Sequence, residues 1–436
     1  MNHLLMRIAQ QKTSASSSAL PVRLSCRVLY AVNHCYPFSS NGYAVRTHGV
    51  AAGLVKNGCH VIAASKLGLP WERTGFNEPN FKNCHLIDGV RYIHSFLAPL
   101  QGTVTEQQAK RAQCAVDTLV EQIRVFKPAA VMAASNWSNA LPALQAAQIT
   151  GLPFFYEVRG FWEISRSARE PEWKNSPAFL NEVKQETAIA KAANKVFTLN
   201  PFMRTELIKR GIDAKKIELV PNGFSGWMPT PLSPLDKSAL GIKSQYTIGY
   251  IGSFNLYEGL EDTIKSLALL RKEGIDVSLL LIGSGESFGF ADKTVCPTTL
   301  KYRELAEMLG VSQFLIMPGR VSPEKAEAFY HLLDVVVIPR RPLEVCELVS
   351  PMKPLEAAAY GKRVLMSDVA PLAELAEFSP NFYFFKKGNV QSMANELKKI
   401  LCHTIQAPLN STQRNKLEER TWVNNVRPIV DAIQRL

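Results

Sequence analysis

The stretch CRVLYAVNHCYPFSSNGYAVRTHGVAAGLVKNGCHVIAAS, residues 26–65, decides how the chain folds. Its first part, CRVLYAV (26–32), is an unbroken apolar run closed by polar residues, the pattern of a parallel strand covered on both faces. GYAVRTHGVAAGLVKNG (42–58) has helical periodicity and stops at Gly58, where a glycine just past a helix end belongs. HVIAAS (60–65) then returns to strand.

The rhythm repeats downstream. AAVMAAS (129–135), PFFYEV (153–158) and KVFTL (195–199) read as strands, and amphipathic stretches at 106–126, 138–150 and 177–193 read as helices. Strand and helix in alternation predict a doubly wound parallel sheet. PNGFSGWMPTPLSP (221–234), rich in proline, glycine and serine, breaks the rhythm and reads as a linker. A second series follows: YTIGYIG (246–252), VSLLLIG (277–283), FLIMPG (314–319), DVVVIP (334–339), RVLMS (363–367) and FYFF (382–385). The chain therefore divides into a first α/β domain (23–222), a linker (223–240), a second α/β domain (241–408) and a C-terminal amphipathic helix (409–436) that packs on the first domain. Ligands of such sheets bind where carboxyl strand ends meet, here in a cleft between the two halves.

Composition agrees with a two-domain globular chain: 436 residues, 46% hydrophobic and 20% charged. The eight cysteines show no CxxC pair and no zinc spacing, so the expectation is buried thiols in a reducing compartment. Residues 1–22 are too polar for a signal peptide core and read as a disordered leader. No stretch has the ~20 apolar residues of a membrane span, so a cytoplasmic protein is expected. The net charge of +12 favours an anionic partner such as a membrane surface or a phosphorylated substrate. Its basic residues are scattered and no aromatic-plus-basic module is present, which argues against nucleic acid.

The stretch SPMKPLEAAAYGKRV (350–364) opens a helix in a way that suits an anion. Pro351 and Pro354 tolerate a helix start, and free amides around Ser350 to Leu355, together with the Ser350 hydroxyl and the Lys353 charge, would cradle a phosphate. Glu356, one turn on, would reach the vicinal hydroxyls of a ribose. A capped structural helix with a dipole-favouring glutamate is the plainer alternative.

ELVSPMKPLEAAAYGKRVLMSDVAPLAEL resembles the closing donor-site motif of family 4 glycosyltransferases. NGYAVRTHGVAAGLVKNGCHV, YEVRGFWE, TLNPFMRTELIKRGIDAKKIELVPNGF, IGYIGSFNLYEGLEDTIKSL, LLIGSGE and MPGRVSPEKAEAFYHLLDVVVIP follow that family's order, covering about 24–430. The resemblance implies the GT-B fold, two Rossmann-like domains facing across a cleft. It also implies retaining transfer of a sugar from a nucleoside-diphosphate sugar of UDP or GDP type to a glycan or lipid-linked acceptor. Carried over by position, it implies that Glu356 holds the ribose and that Ser350, Lys353 and Leu355 border the pyrophosphate. Gly42, Gly252, Ser253 and Gly283 would let backbone approach the donor, Glu286 would stand near the sugar, and Arg320 and Val321 would receive the base. Glu157, Arg159 and Trp162 in YEVRGFWE fall on the acceptor side, with His34 and His48 as structural histidines.

The chain departs from the family in two places. The paired glutamate expected eight residues before Glu356 is Leu348, so the neighbouring Glu347 becomes the candidate catalytic carboxylate. The usual arginine and lysine are Ser253 and Glu258, which leaves Arg340 as first choice for the diphosphate cation, followed by Lys353, Arg341, Arg46 and Arg159. Arg159 and Arg340 join Glu347 as candidate catalytic groups. No D-x-D occurs, so no metal or cofactor is expected. A sugar-nucleotide epimerase of the same plan, or a silent nucleotide-binding partner of another transferase, are the rival readings.

Overall fold

The computed structural model describes residues 26–39, 41–72, 76, 81–226, 235–285, 296–321, 323–403 and 405–436. The predicted leader, residues 227–234 of the linker and Glu286 lie outside the described residues. The first sheet has the order β3-β4-β2-β1-β5-β6-β7-β8, where β1 is Arg27–Val32, β2 His60–Ser65, β3 Cys84–Ile87, β4 Val90–Ile93, β5 Ala130–Ala134, β6 Phe154–Val158, β7 Lys195–Thr198 and β8 Ile217–Leu219. The second has the order β11-β10-β9-β12-β13-β14, built from β9 (Tyr246–Ile251), β10 (Val277–Ile282), β11 (Leu315–Gly319), β12 (Val335–Ile338), β13 (Arg363–Ser367) and β14 (Phe382–Phe385). Every pairing is parallel except the β3–β4 hairpin.

Helices cover both faces of each sheet, so the central strands are apolar throughout; all residues of β12 and of β10 are buried. Local chemistry places the helix starts. Asn41 caps the Gly42–Lys56 helix from its side chain to the Ala44 amide at 3.0 Å. Thr103 and Glu106 form a capping box at the Val104–Phe126 helix, and Asn200 caps Pro201–Lys209 through the Met203 amide. Strand order reverses between β1 and β5 and between β9 and β12, which makes the two crevices of the fold.

The structure differs from the sequence reading at three points. A hairpin, β3–β4, extends the first sheet, turned by Asp88 and Gly89 with φ of 48° and 78°. The C-terminal segment is three helices, Ser411–Glu419, Trp422–Asn425 and Arg427–Gln434, instead of one. The first stays on the second domain, where Lys416 pairs with Glu377; the others cross to the Gly42–Lys56 helix. A Cβ at Gly49 would lie 2.2 Å from the Trp422 ring, so the glycine admits the indole. Where the C-terminal segment crosses, Trp422 donates its amide to Phe224 O at 3.0 Å, so the two interdomain crossings run side by side. The third point concerns the cysteines. Cys26 and Cys59 are disulfide-bonded beside the starts of β1 and β2, and Cys84 and Cys402 are exposed, so the expectation of eight buried thiols is corrected. Among the described residues no helix is long and apolar enough to cross a membrane.

Candidate functional site

The reversal of strand order in the second sheet gathers most of the residues singled out for the donor. Gly252 and Ser253 follow β9, Gly283 follows β10, Arg320 and Val321 follow β11, and Arg340 follows β12. The turns are packed against one another without room for side chains: a Cβ on Gly283 would lie 1.8 Å from Gly252 O. Gly259, with φ of 74°, brings its turn against Pro339, where a Cβ would meet Pro339 O at 2.1 Å. That contact seats Glu258 beside Arg340.

The segment before the Lys353–Ala359 helix faces the first domain. Gly42 is exposed at its helix start, and a Cβ there would lie 3.6 Å from Met352 Cε. A Cβ on Gly160 would lie 3.9 Å from Val349 Cγ2. Asn200 donates to Leu348 O and to Ser350 Oγ, at 2.8 and 2.7 Å, and Asn222 donates to Ser350 O at 2.7 Å. At the outer rim Lys174 pairs with Glu344 at 2.5 Å. The opening of the 353–359 helix therefore lies in the gap between the sheets.

Glu356 is half-buried, 3.4 Å from the Tyr330 hydroxyl. Burial raises its pKa, with Lys353 pulling the other way. Lys353 runs over Gly252, its Nζ 4.9 Å from the Tyr250 ring centre and 3.8 Å from Glu258 Oε1. Arg340 donates to Val349 O at 2.7 Å and to Glu258 Oε1 at 3.0 Å. Burial opposes the charge on Glu258, but Arg340 and Lys353 outweigh it and hold the carboxyl below its ordinary range.

Several sequence-singled residues are placed differently from their expected roles. Glu157, 0% exposed, is bound by Arg46 Nε at 2.9 Å, by Arg159 Nε at 2.8 Å and by the Tyr30 hydroxyl. Arg159 also donates to Tyr43 O and Thr47 Oγ1, and Arg46 to Val220 O, Pro221 O and Asn222 Oδ1. This interior Arg–Glu–Arg group positions the Gly42–Lys56 helix and the linker start; an acceptor would not touch Glu157. Leu355 has its side chain in the core and its amide on Met352 O. Glu347 is turned into its own domain by Lys387 Nζ at 2.6 Å and the Ala370 amide at 3.0 Å. Arg341 is taken by Glu261 and Asp262. Of the five cations considered, Arg340 and Lys353 remain at the crevice.

Trp162 does border the cleft. Its ring stacks on Tyr43 with centroids 5.3 Å apart, and its buried indole N–H has no hydrogen-bond partner among the described residues. His48 is held between Tyr92 and Asp88, a structural arrangement. The residues sequence reasoning missed are Tyr43, Asn200 and Asn222, which join or face the donor loop, and Glu258, noted only as a departure. TLNP and VPNG both place an asparagine directly beyond an apolar run, the signal that strand-end residues give.

A family model for the glycosyl transferase 4-like domain matches residues 41–223, and one for glycosyl transferases group 1 matches residues 234–419. The chain is 24% identical over 211 residues to lipopolysaccharide 1,2-N-acetylglucosaminetransferase of Salmonella typhimurium, covering 48% of this chain and 53% of that one. It is 26% identical over 176 residues to alpha-galactosylglucosyldiacylglycerol synthase of Streptococcus pneumoniae, covering 39% and 43%. The matched part thus spans about half the length of these relatives. Anabaena HepE, solved in complex with UDP and glucose, superposes with a TM-score of 0.70 at 16% identity, covering 95% of this chain and all of that one, a likeness of fold. With one matched domain on each sheet, the chain belongs to the GT-B glycosyltransferases that join a 4-like domain to a group 1 domain.

Proposed function

We propose that the protein transfers a sugar from a nucleoside-diphosphate sugar to a glycan or lipid-linked acceptor, with retention at the anomeric carbon. The observation that supports this most is the crevice of the second sheet: side-chain-free turns at Gly252 and Gly283, the two cations Arg340 and Lys353, and Glu356 all stand at the gap that Gly42 closes from the other domain. In this reading the glycine turns admit the diphosphate, Lys353 and Arg340 meet its charge, and Glu356 accepts from the ribose hydroxyls. The stack of Tyr43 on Trp162 offers an aromatic face to a sugar ring.

The bond from the anomeric carbon to the donor phosphate oxygen breaks as the acceptor hydroxyl oxygen bonds to that carbon on the same face. The acceptor proton passes to the leaving phosphate oxygen. Cations preorganised at the leaving diphosphate stabilise charge that develops only in the transition state. Closure of the two domains excludes water and so suppresses donor hydrolysis. The net charge of +12 supports an acceptor presented at an anionic membrane surface.

Melting curves in the presence of UDP, GDP and their sugars test the reading, because a ligand selective for the folded state raises the melting temperature. One nucleoside diphosphate should raise it, and Glu356→Ala should abolish the rise. No rise with any of them contradicts donor binding, and an undiminished rise in Glu356→Ala removes the ribose role.

A further inference from the structure

Glu258, 2% exposed, occupies the middle of the donor crevice. Its Oε1 meets both remaining cations, Arg340 at 3.0 Å and Lys353 at 3.8 Å, and the Tyr250 hydroxyl lies beside the carboxylate, while Oε2 takes no hydrogen bond from the guanidinium and Arg340 Nε has no partner among the described residues. A carboxylate that merely neutralised a buried arginine would use both oxygens on the guanidinium fork. Here one oxygen serves three elements of the crevice: its own turn after β9, Arg340 after β12, and Lys353 arching over Gly252. The contacts are unequal. Arg340 is anchored a second time on Val349 O at 2.7 Å, whereas Lys353 reaches the carboxylate by a long contact on a flexible stem.

We propose that Glu258 is a built-in competitor for the donor's diphosphate. It balances Arg340 and Lys353 in the free protein, and it yields Lys353 to the phosphates when the donor arrives. This rests on the donor reading given above and adds to it how tightly the diphosphate is held. Arg46, Arg159 and Arg341 are committed to Glu157, Glu261 and Asp262, so they add no further cation at the crevice. With Glu258 between them, Arg340 and Lys353 do not offer two full positive charges to the diphosphate, which carries about two negative charges in the donor and about three as the free product. The consequence is loose binding of the diphosphate product and its fast release, with recognition resting more on the nucleoside.

Calorimetric titration of the full chain with UDP, GDP and the corresponding nucleosides tests this. Glu258→Gln keeps the shape and removes the charge, and it should bind the recognised diphosphate about tenfold more tightly with nucleoside affinity unchanged. Equal or weaker diphosphate binding overturns the proposal. Glu258→Met serves the same purpose should the glutamine variant not fold. If neither folds, Lys353→Met decides: diphosphate binding should fall about tenfold while nucleoside binding holds, and unchanged diphosphate binding overturns the proposal. A wild-type chain that binds no nucleoside diphosphate contradicts the donor reading itself, whereas wild-type binding that the Glu258 variants leave unaltered contradicts only the role of Glu258.

Discussion

Asn222 donates from Nδ2 to the carbonyl oxygen of Ser350 at 2.7 Å, joining the end of the first domain to the donor loop of the second across 128 residues of sequence. Its Oδ1 accepts from Arg46 at 2.9 Å, so the same side chain ties the linker start to the buried arginine. Asn222→Ala should raise the donor KM several-fold while kcat falls less, because it loosens the closed arrangement without removing a group at the reacting atoms. Loss of these bonds should cost about 1–3 kcal/mol in urea unfolding. An unchanged KM would mean that the contact does not govern closure.

The Glu157 carboxylate is shared by two buried guanidinium groups and the Tyr30 hydroxyl. Burial opposes its charge, yet Arg159 and Arg46 keep the carboxyl below its ordinary range. Glu157→Ala leaves two buried cations uncompensated and should destabilise the fold by about 3–5 kcal/mol, measured by chemical denaturation. A stable Glu157→Ala with selectively weaker acceptor affinity would restore the acceptor role that the structure moves inward.

Glu186 is buried against the Tyr156 hydroxyl and the Trp137 amide, and burial pushes its pKa up to about 7. The folded chain holds this proton after the unfolded chain has lost it, so stability falls as pH rises from the ordinary glutamate range to about 7 and levels off above. The drop should be about 3 kcal/mol. Glu186→Gln mimics the neutral acid and should flatten that slope and stabilise the protein at pH 8. A wild-type slope retained in the variant would assign it to other groups.

Much of this architecture was legible in the sequence, and the exceptions have identifiable causes. The inner strands were readable because each is covered on both faces, which makes runs such as VVVI (335–338) unbrokenly apolar. The β3–β4 hairpin lies at an edge with alternating exposure, a weaker pattern, although Asp88-Gly89 is the turn signal that marks it. The C-terminal helix breaks where Pro428 can only begin a helix and where the chain bends at Thr421 to cross domains. At the site, strand ends and glycine turns were readable because the topology puts them there. The direction of a charged side chain was not: Arg159 and Arg340 both follow strand ends, yet one turns inward to Glu157 and the other lies at the crevice, because only the folded chain shows which carboxylate each meets.

The central claim is that a nucleoside diphosphate is held at the carboxyl ends of β9 and β12, against the start of the Lys353–Ala359 helix. Hydrogen–deuterium exchange with and without the nucleoside diphosphate that most raises the melting temperature tests it most directly. Slowed exchange is predicted in peptides spanning 250–259 and 338–356, with a smaller effect at 41–47 across the cleft. Protection confined to other parts of the chain, with these segments unchanged, would contradict the account.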